Sequence, residues 1–136
     1  NDSMGYYVAK QTVKKILAQG KNVAGAKVLV MGATFKENVS DIRNSQVIKL
    51  IHIFGKITSQ IDVYDPYVKK INNTFKANLI INKKNIKKYN LIIHAVKHKD
   101  FKSFYKFKDY NKFLNKNGFV YDIHNLFEKS HKIVFL

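Results

Sequence analysis

The sequence predicts an α/β fold: a Rossmann-like, doubly wound parallel sheet of about six strands, preceded by one helix. Three observations carry this. From Ala26 onward, short apolar runs alternate with segments of helical periodicity, joined by short connections. The run Leu91-Ile92-Ile93-His94-Ala95-Val96 is almost continuously apolar, as a parallel strand covered on both faces requires. The first apolar run, Lys27-Val28-Leu29-Val30, passes through a long polar loop into an amphipathic segment starting near Ser45.

The elements follow in order. Residues 1–19 read as a helix, with Tyr6, Ala9, Val13, Ile16, Leu17 and Gly20 at helical spacing and Lys10, Lys14 and Lys15 opposite. Gly20 is placed to end it. Strands are expected at 27–31, 60–64, 79–81, 91–96, 118–121 and 132–135. Helices are expected near 45–55, 67–74, 83–88, 101–115 in broken form, and 126–130. The helix after Ser45 should bury Val47, Ile48, Leu50, Ile51 and Phe54, with Asn44 or Ser45 as its cap. Right-handed crossovers then give the doubly wound sheet.

Composition narrows the class. The chain has 136 residues, 46% hydrophobic and 13% aromatic, enough for one well-packed domain and too apolar for disorder. No apolar run approaches the roughly 18 residues that span a bilayer. No leader pattern opens the chain, and cysteine is absent, so a cytoplasmic protein without disulfides or thiolate metal sites is expected. The net charge of +16 suggests nucleic acid or an anionic surface. Against that, Arg43 is the sole arginine, and base readout and bidentate phosphate grips favour arginine. Pairs such as Lys14-Lys15, Lys69-Lys70, Lys83-Lys84 and Lys87-Lys88 fall where elements would face water. No partner nucleic acid or membrane is expected.

The most informative stretch is Met31-Gly32-Ala33-Thr34-Phe35-Lys36-Glu37-Asn38-Val39-Ser40-Asp41-Ile42-Arg43-Asn44-Ser45. A strand-loop-helix junction is where open α/β sheets bind nucleotides and phosphates. This loop is neither G-x-G-x-x-G nor a Walker loop. It offers a lysine at an exposed tip, beside an aromatic ring, ahead of a helix N-terminus that attracts anions. Asp41 and Arg43 are close enough to pair and brace the loop, with Ser45 as cap.

These residues resemble the G-x-x-F-K-x-x-x-x-D-x-R-x-S signature of the UDP-glucose/GDP-mannose dehydrogenase family. Within it, they resemble the bacterial branch that oxidises C6 of UDP-N-acetylhexosamines for surface polysaccharide, of the Vi-antigen type. Asn1-Asp2-Ser3-Met4-Gly5, Val63-Tyr64-Asp65-Pro66 and Ala95-Val96-Lys97-His98-Lys99-Asp100-Phe101 resemble further family segments, in order. The resemblance implies that Phe35 and Lys36 meet the nucleotide-sugar, with Asp41, Arg43 and Ser45 structuring the loop. Tyr121-Asp122-Ile123-His124-Asn125 follows the fifth strand, where some members carry a basic pair that grips the nucleotide. His124 and Asn125 stand there instead and are the candidate substitutes.

Other constellations read as structure. Asp65 ends the second strand, where dinucleotide folds hold a ribose. It lies well beyond the usual spacing of about 20 residues, with no glycine fingerprint, and reads as an Asp-Pro turn. His52, His94, His98, His124 and His131 have no metal-ligand spacing, so no metal is expected. His94, inside an apolar strand, reads as a hydrogen-bonded core histidine.

The family reaction is a four-electron oxidation using NAD and a cysteine nucleophile. This chain has no cysteine. The resemblance therefore implies that residues 1–20 end a central dimerisation helix and 21–136 form the C-terminal nucleotide-sugar-binding domain. NAD and the catalytic cysteine would lie in other domains, and no catalytic residue or cofactor is expected here. The partners implied are a UDP-sugar and a second copy of the chain. Alternatives are a UDP-glucose or GDP-mannose 6-dehydrogenase domain, or a basic Rossmann-like module for nucleic acid or protein, whose binding would weaken steeply with salt.

Overall fold

The structure, a computed structural model, describes residues 2–34, 36–43, 45–71 and 77–135, with side chains from Met4 onward. Phe35 and Asn44 lie outside the described residues, as does the 72–74 part of the helix expected at 67–74.

The elements are α1 (Asp2–Ala18), β1 (Val28–Met31), α2 (Gln46–Gly55), β2 (Ile61–Tyr64), β3 (Asn78–Ile80), β4 (Tyr89–His94), α3 (Phe107–Tyr110), β5 (Leu114–Asp122) and β6 (Ile133–Phe135). Among the described residues, six strands form one sheet in the order β3-β2-β1-β4-β5-β6. Every pairing is parallel. Chain order therefore reverses between β1 and β4, the topological switch point where such sheets open a crevice at their carboxyl edge.

Strand alternation divides the core in two. Val28, Val30, Ile61, Val63, Leu91, Ile93, Phe119 and Tyr121 face α1 and α2. Leu29, Met31, Ile92 and Val120 face an aromatic layer of Phe101, Phe104, Tyr110 and Phe127. The sheet is thus doubly wound as expected, but its second face is covered by short turns with large rings rather than by long helices.

α1 ends in a Schellman motif. Gly20 takes φ +73°, its N–H reaches the Leu17 carbonyl, and the Lys21 N–H reaches that of Ile16. Its inward face differs from the expected stripe. Val8, Ala9, Thr12 and Ile16 are buried, while Tyr6 and Leu17 are 62% and 57% exposed. The Thr12 hydroxyl donates to the Val8 carbonyl at 2.9 Å, which lets a polar residue sit inside. α2 buries Val47, Leu50, Ile51 and Phe54, with Ile48 only half-buried.

Three expected helices are absent or shortened. At 65–68, Asp65-Pro66 forms a turn closed by Val68 N–H to the Asp65 carbonyl, so the chain turns at 66–67. At 83–88 only one 3₁₀ turn forms, Lys83–Asn85. Lys83/Lys87 and Lys84/Lys88 would place like charges four apart on a helix, and little besides Ile86 could be buried. At 126–130 the backbone is claimed elsewhere: Phe127 N–H donates to Asp122 Oδ2 and Glu128 N–H to the Tyr105 carbonyl. The broken segment is a 3₁₀ stretch (Lys99–Phe104), α3 and a further 3₁₀ turn, with β5 already begun at Leu114.

Candidate functional site

The loops after β1, β4 and β5 converge on one cleft of about 310 Å³ at the carboxyl edge of the sheet. Thr34, Lys36, Glu37, Gln46 and Val47 come from the β1 side, Ala95, Val96 and Lys97 follow β4, and Ile123 and His124 follow β5. Met4 of α1 closes one wall. Backbone bonds weld this edge: Gly32 N–H donates to the Tyr64 carbonyl, and Ala95 N–H to that of Met31, both at 2.9 Å.

The cleft carries two ammonium groups and one carboxylate, that of Glu37. Lys36 and Lys97 are exposed. The N-terminus of α2 opens onto it, carrying its own positive potential. Ser45 caps that helix, its Oγ accepting from Val47 N–H at 3.1 Å. Gln46 Oε1 is buried without a hydrogen-bond partner among the described groups, an acceptor open to a water or a ligand N–H.

The expected site residues separate. Lys36 and His124 share the cleft. The His124 ring is half-buried, and its Nε2–H donates to the Ala95 carbonyl at 3.0 Å. Asn125 is exposed, takes φ +58°, does not line the cleft, and bonds the Lys129 ammonium. Phe35 lies outside the described residues. Asp41 and Arg43 do pair, Nε to Oδ1 at 3.1 Å and Nη2 to Oδ2 at 3.2 Å. The Arg43 hydrogen bonds hold the Asp41 carboxyl below its ordinary value. The pair is solvated, however, with the Arg43 side chain 86% exposed, so it is a weak brace.

The strong brace is one the sequence reading passed over. Asp65 is buried and its two carboxylate oxygens accept three hydrogens. Oδ2 takes Ala33 N–H at 2.7 Å and His98 Nε2–H at 2.8 Å, and Oδ1 takes Tyr67 N–H at 2.8 Å. His98, also buried, accepts Asn38 N–H on Nδ1 at 2.8 Å. The carboxylate is therefore committed to shaping the loop rather than offered to a ribose. The available signal was position: His98 follows the apolar β4 strand and so had to land beside the β1 loop.

A second buried polar group lies beneath. His94 Nδ1–H donates to Asp122 Oδ1 at 3.2 Å, and the Tyr105 hydroxyl donates to Nε2 at 3.1 Å. Burial lowers the His94 pKa and outweighs the opposing pull of Asp122. Burial works to raise Asp122, but its bonds from His94 and Phe127, with the charge of His94 and of Lys129, bring it below the ordinary carboxylate value. Burial, with the Asp122 charge, pushes Tyr105 up to about 12. His94 is thus the core histidine expected, and its ring lies 5.6 Å from that of His124. Among the described residues no group of three His, Cys, Asp or Glu side chains could hold a metal ion.

Comparison with known proteins identifies the family. The family model described as UDP-glucose/GDP-mannose dehydrogenase family, UDP binding domain, matches residues 29–129. A UDP-N-acetyl-D-glucosamine 6-dehydrogenase of Salmonella typhi is 39% identical over 103 residues, 75% of this chain and 24% of that protein. Protein CapL of Staphylococcus aureus is 36% identical over 124 residues, 90% of this chain and 29% of that one. The solved UDP-N-acetyl-mannosamine dehydrogenase Cap5O of S. aureus matches with a TM-score of 0.73 at 25% identity, over 99% of this chain and 30% of that one. An NDP-N-acetyl-D-galactosaminuronic acid dehydrogenase from Methanosarcina mazei Go1 shares the fold at a TM-score of 0.79, with 23% identity, over the whole of this chain and 29% of that one. The chain spans 24–30% of the length of these relatives.

Proposed function

Because the chain belongs to the UDP-glucose/GDP-mannose dehydrogenase family, as its UDP-binding domain, we propose that it binds the nucleotide of a UDP-N-acetylhexosamine for an NAD-dependent C6 dehydrogenase. The observation that carries this is the convergence of Lys36, Lys97, His124 and the α2 N-terminus on one cleft at the switch point. Lys36 and Lys97 meet the diphosphate as mobile ammonium groups. The α2 N-terminus adds fixed positive potential without an arginine fork. Gln46 Oε1 is an acceptor for a ligand N–H, such as the imide of a uracil. Phe35 remains a candidate contact through the family signature alone, and Asn125 only through its place where some members carry a basic pair, since it does not line the cleft.

The hexosamine assignment is supported by the relatives named above rather than by the cleft. Among the described residues the strand ends do not fit NAD. The β1 loop has a single glycine, and Asp65, the acid at the end of β2, is spent on Ala33, His98 and Tyr67. With no cysteine, the chain also lacks the thiolate for aldehyde oxidation. We assign NAD binding and the nucleophile to the remainder of the whole protein. Residues 1–20 would end its central helix and 21–136 form the C-terminal domain, in a cytoplasmic homodimer whose contact includes the exposed face of α1. Among the described residues no helix is long and apolar enough to cross a membrane.

The test is NAD reduction by the whole protein with UDP-N-acetylglucosamine, UDP-N-acetylgalactosamine and UDP-glucose. Turnover with a UDP-N-acetylhexosamine is expected, and none from this chain alone. Turnover with UDP-glucose alone would overturn the hexosamine reading.

A further inference from the structure

We propose that His98 is the positioning residue of the Lys36 loop: its Nδ1 acceptor ties the loop to the sheet edge while its Nε2–H anchors the ring on Asp65. The inference deepens the nucleotide reading and rests on it, since the loop is taken to present Lys36 to the diphosphate.

The tautomer follows from the partners. Nδ1 lies 2.8 Å from the Asn38 backbone nitrogen, which can only donate, so Nδ1 carries a lone pair. Nε2 lies 2.8 Å from Asp65 Oδ2 and therefore carries the hydrogen. Thr34 Oγ1 sits 3.2 Å from the same Nε2 and donates its own hydrogen to the Lys36 carbonyl at 2.8 Å. The ring thus holds the loop at Asn38, two residues past Lys36, while the neighbouring Thr34 hydroxyl holds the Lys36 carbonyl. Asn38 is itself fixed, at φ +61°, with Oδ1 accepting from Lys99 N–H at 2.9 Å.

The two ring nitrogens divide the work. Asp65 is held in place by Ala33 and Tyr67 and anchors the ring through Nε2–H. Nδ1 is the acceptor that reaches the loop, so a side chain that keeps the anchor but offers no acceptor there leaves the Asn38 N–H without its partner on the sheet edge. The ring itself is packed between Tyr67, whose ring lies 4.7 Å away with its hydroxyl turned to Asp100, and Phe101.

The experiment combines ring nitrogen and backbone amide NMR of the chain with calorimetric titration of UDP at pH 7.5. The ring is expected as the Nε2–H tautomer. The amides of Lys36, Glu37 and Asn38 should shift more in His98→Gln than in His98→Asn, while those of β1 and β4 should not separate the two variants. His98→Asn keeps an acceptor at the Nδ1 position and should bind UDP nearly as wild type. His98→Gln keeps the donor to Asp65 but offers Asn38 nothing, and should lose about five- to fiftyfold in affinity. Thermal melts of both variants measure stability separately, and a merely structural role would make affinity follow the melting temperature. An Nδ1–H tautomer, loop amides indifferent to His98, or equal binding by the two variants would overturn the proposal. The NMR readouts need no ligand: loop amides that follow His98 in a chain blind to UDP would uphold the tether and refute only the nucleotide reading.

Discussion

The backbone of Gly32 is pressed against Val96. A Cβ on Gly32 would sit 2.6 Å from the Val96 Cβ and 2.9 Å from its amide nitrogen. Gly32 leaves β1 at φ +95° and Val96 follows β4, so this contact closes the floor of the cleft where the two strands part. Gly32→Ala is expected to cost about 2 kcal/mol or more, combining left-handed strain with a clash against backbone that has little freedom to move. Denaturant melts measure it. A loss below about 0.5 kcal/mol would mean the strand ends can separate.

The Lys36 side chain is exposed, and what the fold uses of this residue is its backbone carbonyl, which accepts from Thr34. Lys36→Ala should leave stability within about 0.5 kcal/mol. UDP affinity should fall about ten- to a hundredfold, the worth of a charged hydrogen bond. Lys36→Arg should restore only part, since a planar fork replaces a compact ammonium. Calorimetric titration and thermal melts of both variants check this. Wild-type affinity in Lys36→Ala would make the loop structural.

Asp41→Ala separates the two braces of the same loop. The Asp41–Arg43 pair is solvated, so its removal should leave the melting temperature close to wild type. Asp65→Asn should lower it clearly, because a buried carboxylate that accepts three hydrogens would be replaced by a group with one acceptor atom. The reverse order in thermal melts would return the brace to Asp41.

The sheet was legible in the sequence because buried parallel strands are written as apolar runs, and Val28–Met31 and Leu91–His94 need nothing else to be recognised. α2 was legible from its stripe and its serine cap. What escaped depends on long-range partners. No local pattern tells that Asp122 will capture the Phe127 amide and prevent a helix at 126–130. None tells that Asp65 and His98, 33 residues apart, will meet under the loop at 2.8 Å. The loop signature drew attention to Asp41 and Arg43 because charges two apart look paired, yet sequence does not reveal that they remain in water. Lys36 and His124 were found by pattern, Lys97 and Gln46 only by their convergence on the cleft.

Stability should fall in acid in two stages. His94 is held below its ordinary value of 6.5, chiefly by burial, so the folded chain binds fewer protons there than the unfolded chain. That contribution is complete above pH 6.5 and is lost as pH falls through the lower folded value. Asp122, also lowered, from 3.8, adds a second loss in the same direction below that pH. His94→Asn keeps a donor for Asp122 but strands the Tyr105 hydroxyl. It should be less stable by about 1–3 kcal/mol at pH 7.5 and show a flatter decline toward pH 5. Melting curves across that range measure both, and a slope as steep as wild type would remove His94 from the first stage.

The most direct test is titration of UDP into the isotopically labelled chain, followed at backbone amides. A nucleotide in the cleft predicts saturable shifts at Thr34, Lys36, Val47, Ala95, Val96, Lys97 and His124. At the opposite edge of the sheet, where Gln19, Lys21, Asn22 and Asn90 line a separate pocket, shifts should be absent. Inorganic triphosphate at the same concentration should not reproduce the pattern. No saturable shift, shifts centred on Lys21 and Asn90, or an equal response to triphosphate would contradict a nucleotide site at the β1–β4 switch point.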